Sequence, residues 1–91
     1  MKSAYELAME RLEAESPIRR LSAEQIAEIA EVESLTQAKL AEKDLFLRDQ
    51  IAKASATNDF ESVQQLQDQL QRELRRIRED GEEKKEAIRN R

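Results

Sequence analysis

The side chains best suited to chemistry are four arginines clustered in the last third of the chain, Arg72, Arg75, Arg76 and Arg78. Guanidinium groups hold phosphate oxygens through paired N–H donors, so such a cluster could grip a nucleic-acid backbone. Asp68, Glu79, Asp80 and Glu82 stand three or four positions away, where carboxylates reach arginines along one helix. A self-neutralised, solvated face is therefore the expected role of the cluster. No aromatic residue lies among the arginines to stack a base.

A second cationic set emerges only if the chain folds back on itself. Arg19 and Arg20 would then lie beside Lys84, Lys85 and Arg89, with Arg75 and Arg78 nearby. This is the candidate nucleic-acid-binding surface. It would touch phosphates and read no bases, against a formal net charge of −4 for the whole chain.

Other chemistry has little to work with. The chain has no Cys and no His, which removes thiol nucleophiles, imidazole bases, disulfides and the usual zinc ligands. Carboxylates, lysines and one tyrosine on thin helices build no sheltered pocket, and no oxygen-ligand loop for calcium is present. The expectation is a protein that is not an enzyme, with no catalytic, cofactor or metal residue and no small-molecule substrate.

The elements that position these residues are long helices. Charged residues make up 40% of the chain, with one Gly, one Pro and 3% aromatics, which is the composition of solvated helices around a thin core. No segment has the unbroken apolar run of a leader or a membrane span, so the expected location is cytoplasmic. The expected fold is all-α: an antiparallel two-helix coiled-coil hairpin with a short N-terminal helix, in a single domain over residues 1–91.

The short helix spans residues 3–15, with Tyr5, Ala8, Met9 and Leu12 on one face, and ends before Pro17. Ser22 to Gln25 reads as a capping box opening a helix over residues 23–56, roughly 50 Å long. Thr57, Asn58 and Asp59 supply a left-handed exit and a new N-cap, and a third helix spans residues 60–89.

The third helix carries Phe60, Val63, Leu66, Leu70, Leu74 and Ile77 on one stripe, continued by Gly81, Lys84 and Ile88; its four-four step around Leu70 is a local eleven-residue register. Ile26, Ile29, Ala30, Leu40, Ala41, Leu47, Ile51 and Ala54 form the facing stripe. Expected pairs are Ile51 with Val63, Leu47 with Leu66, Leu40 with Leu74 and Ile26 with Ile88. Gly81 then faces Glu33, where Lys84 is expected to complete a polar pocket; a frayed helix end is the alternative. Val32, Leu35 and Phe46 gather on nearly the opposite face as the candidate protein interface. Tyr5 and Met9 are expected to cover Val32 and Leu35, leaving Phe46, with Leu45, for an intermolecular contact.

Two stretches of the chain carry resemblances to known families. Asp59-Phe60-Glu61 followed by Leu66, Asp68 and Leu70 resembles the helical-hairpin motif shared by the B and C subunits of bacterial nucleotide excision repair. Val63, Gln64 and Gln67 stand where that motif has Ala, Ala and Arg. The resemblance implies hairpin geometry and a protein-docking role, although packing alone leads a helical hairpin to the same residues. Over most of the chain, the runs KSAYELAMERLE, LSAEQIAEIAE and LFLRDQIAKA with NDFE look like a small signature-protein family of the planctomycete, verrucomicrobial and chlamydial superphylum. That likeness implies DNA and RNA binding without sequence preference and no catalytic residue.

The functional expectation is a non-enzymatic helical-hairpin interaction protein, a homodimer or a module docking on a larger assembly. The alternative is a sequence-nonspecific DNA- and RNA-binding protein. No membrane partner is expected.

Overall fold

Each helix start and stop follows from a few polar side chains. The computed structural model describes residues 3–15 and 20–91. Its helices are α1 (Ala4–Glu15), α2 (Ala23–Ala56) and α3 (Phe60–Arg89). Ser3 opens α1 by accepting from the Glu6 amide at 3.2 Å. Ser22 and Gln25 form the expected capping box: the Gln25 amide donates to Ser22 Oγ at 3.1 Å and the Ser22 amide to Gln25 Oε1 at 2.8 Å.

The turn is a Schellman motif. Asn58 adopts the left-handed conformation, with φ 57°, beyond the C-cap Thr57. The Asn58 amide donates to Ser55 O and the Asp59 amide to Ala54 O, both at 3.0 Å. Asp59 at once caps α3, accepting from the Ser62 amide at 3.2 Å and from Ser62 Oγ at 2.6 Å. The hydrogen bonds from the Ser62 hydroxyl and amide hold its carboxyl below the ordinary aspartate value of 3.8.

Helices α2 and α3 pack along their length as an antiparallel hairpin, and α1 packs on neither. The expectation that α1 covers Val32 and Leu35 therefore fails: Tyr5 is 73% exposed and Leu35 remains in solvent. Too little apolar surface on α1 explains this, since Tyr5 and Leu7 are flanked by Glu6 and Glu10 within one turn.

The seam follows an eleven-residue repeat in both helices. In α2 it runs Ile29, Val32, Thr36, Leu40, Lys43, Leu47, Ile51 and Ala54, spaced three, four, four and then again. In α3 it runs Val63, Leu66, Leu70, Leu74, Ile77, Gly81, Lys85 and Ile88 with the same spacing. Every one of these residues is buried or half-buried. Eleven residues in three turns lie close to the natural 3.6 per turn, so the pair needs almost no supercoil. The deepest side chains are Leu47, 2% exposed, Leu70 and Ile88.

The seam departs from expectation at several positions. Val32 belongs to it, whereas Ile26, Ala30 and Ala41 are exposed. Thr36 and Lys43 centre the α2 stripe, and counting only apolar residues rotates it away from them. Phe60 is exposed at the head of α3. The register also differs: Gly81 faces Thr36 instead of Glu33, close to one helical turn further along α2. Lys43 meets Glu73 at 3.8 Å, Lys85 meets Glu33 at 3.6 Å and Arg91 meets Glu28 at 2.7 Å in the same register. The expected pairs are thus displaced together, which brings Leu70 level with Leu47 and Ile88 level with Ile29 instead of Ile26, while the Gln25 side chain donates to the Ile88 carbonyl at 2.8 Å.

Candidate interaction surface

The hairpin has two unlike flanks. On one, Gly81 lets the helices approach: a Cβ there would lie 2.6 Å from Thr36 Oγ1. Arg78, Glu82 and Lys85 line the notch across from Glu33 and Gln37. Lys85, rather than Lys84, fills the expected polar site, with its ammonium 2.7 Å from Glu82 and 3.6 Å from Glu33. Residue 85 continues the eleven-residue spacing and residue 84 does not, which explains the exchange. The paired charges raise the Lys85 pKa and lower that of Glu82, with the mutual hydrogen bond as the main cause. Helix α3 runs on through Gly81 to Arg89, so the glycine marks close packing and not a helix end.

On the other flank, Phe46 is 59% exposed and lines an open groove with Lys39, Glu42, Lys43 and Ile77. Leu35, 55% exposed, lies eleven residues before Phe46 and so on the same line of α2, about 16 Å away. Leu35 and Phe46 therefore flank the seam instead of facing directly away from it. Val32, the third candidate interface residue, is half-buried in the seam. At the groove's edge Glu73 Oε2 is buried without a hydrogen bond and is compensated by Lys43 at 3.8 Å.

The candidate phosphate-binding residues do not form one patch. Arg19 lies outside the described residues, and Arg20 is exposed just before α2. Lys85 is taken up by Glu33 and Glu82, Arg89 pairs with Glu86 at 3.3 Å, and Arg91 pairs with Glu28. Arg75, Arg78 and Lys84 are exposed. Contrary to the expected self-neutralisation, none of Arg72, Arg75, Arg76 and Arg78 forms an ion pair among the described residues. Exposed helical pairs gain so little that these long side chains stay hydrated.

Among the described residues, no three carboxylates converge as cation ligands. No helix among them is long and apolar enough to cross a membrane. Comparison with known proteins finds no matching family model, no matching curated relative and no matching solved structure.

Proposed function

We propose that this chain is a non-enzymatic helical-hairpin interaction protein of the cytoplasm, which self-associates or docks on a larger assembly through the α2 flank bearing Leu35 and Phe46. The carrying observation is an imbalance. Leu47, Leu70 and Ile88 are the only large apolar side chains buried among the described residues, whereas Leu35, Leu45, Phe46, Phe60 and Ile26 stand in solvent. Covering one Phe or Leu contributes about 1.5–3 kcal/mol, so a partner over Phe46 and Leu35 adds substantially to a thin hairpin. The likeness of Asp59 to Leu70 to a docking hairpin points the same way. Affinity recovery of the tagged chain from its native cells, after nuclease treatment, tests this. Wild type is expected to retain a protein set, its own untagged copies included, that Phe46→Ser loses; an identical set from both would overturn the reading.

A second reading, nucleic-acid binding without sequence preference, draws on the exposed and unpaired Arg75, Arg78 and Lys84. Binding should weaken with salt at a slope of about −0.9 per neutralised duplex phosphate. Reversing Arg75 and Arg78 to Glu should weaken it equally on every sequence. Absence of any gel shift at low salt would end this reading.

A further inference from the structure

The strip of α2 that carries Phe46 is complementary to itself when reversed. Taken in order it presents Glu28, Leu35, Lys39, Glu42, Phe46 and Lys53, all on the flank away from Gly81. At about 100° per residue these six fall within a narrow wedge of the helix surface. Turned end for end, Glu28 comes opposite Lys53, Leu35 opposite Phe46 and Lys39 opposite Glu42. All three pairs share one midpoint, between Leu40 and Ala41. Each pair matches opposite charges or two apolar side chains, which is the condition for a two-fold interface in which one patch serves both copies.

We infer that the occupant of this flank is a second copy of the chain, packed antiparallel through α2 about a two-fold axis at Leu40 and Ala41, with Leu35 of each copy seated against Phe46 of the other. This rests on the docking reading above and names its partner. The groove at Phe46 is bounded by Lys39 and Glu42, so the charges that set the register border the apolar contact. The eleven-residue repeat keeps Leu35 and Phe46 on one line of a nearly straight helix, so both contacts form at once. Helix α1 touches neither long helix and leaves the strip open. A parallel arrangement would set Glu28, Lys39, Glu42 and Lys53 each against its own kind, which opposite-sign pairing avoids.

Charge reversal tests the partner and the register together. Lys39→Glu gives a strip that repels its own copy, and so does Glu42→Lys, but the two variants complement each other. Sedimentation velocity is expected to show wild type as a dimer, with each variant alone associating about tenfold more weakly. An equal mixture of the two should recover the wild-type dimer. Both positions are exposed, and circular dichroism verifies that helicity is kept. A mixture no more associated than its components, or single variants that dimerise like wild type, overturns the register. A wild type that stays monomeric at several hundred micromolar overturns the second copy as occupant. In that case the docking reading stands or falls separately on the nuclease-treated recovery with Phe46→Ser.

Discussion

Thr36 and Gly81 touch across the hairpin so closely that a single added carbon on Gly81 would come within 2.6 Å of Thr36 Oγ1 and 3.1 Å of its Cγ2. The glycine is thus kept despite costing about 0.8–1.0 kcal/mol of helix propensity relative to Ala. Gly81→Ala should destabilise by about 1–2 kcal/mol, because overpacking outweighs the propensity gain. In a Thr36→Ala background the same change should instead stabilise by about 0.5–1 kcal/mol. Urea unfolding of the four proteins in this cycle checks the change of sign.

The Schellman turn concentrates the topology in one residue. At φ 57° a β-carbon is unfavourable, and Asn tolerates the conformation better than other residues except Gly. Asn58→Ala should cost about 1–2 kcal/mol, while Asn58→Gly should be neutral or slightly stabilising. Thermal melts of both variants decide this; equal losses from the two would mean that the left-handed turn does not set the stability.

Burial grades the leucines. Leu47→Ala and Leu70→Ala should each cost about 2–5 kcal/mol, and Leu40→Ala, at a half-buried site, less than either. Ranking the three by urea midpoint tests the placement of the core at the Leu47 and Leu70 level.

Acid should act through Asp59. Its folded pKa is depressed by the two bonds from Ser62, so its contribution is complete above 3.8, the ordinary aspartate value. The contribution is lost as pH falls below that value through the lower folded pKa. Asp59→Asn keeps an acceptor for the cap but no charge. The difference in Tm between wild type and Asp59→Asn should therefore shrink as pH is lowered from neutral to below 3.8.

Helix ends and topology are legible in the sequence because they depend on local chemistry: Ser22 with Gln25, Asn58 followed by Asp59, and a lone Gly on a stripe. The register is less so, because it is centred by Thr36, Lys43 and Lys85, polar residues that an apolar count passes over. Repeating the four-four step around Leu70 along both helices recovers all three, since the two seams share one repeat. The pairing of Lys85 with both Glu33 and Glu82 follows from that repeat as well. The failure of α1 to cover Leu35 is a matter of degree, since a stripe of few apolar residues is as visible in the sequence whether or not it gains enough to dock.

On the proposed docking, Phe46 acts between molecules and adds little within one. Multi-angle light scattering of wild type and Phe46→Ser, paired with thermal melts under conditions where both are monomeric, measures this directly. The expected result is a dimeric mass for wild type that falls towards the monomer in Phe46→Ser, with monomer stability changed by no more than about 0.5 kcal/mol, as for other surface substitutions. An unchanged mass combined with a melt lowered by several degrees would instead place Phe46 inside the hairpin core and exclude the intermolecular contact.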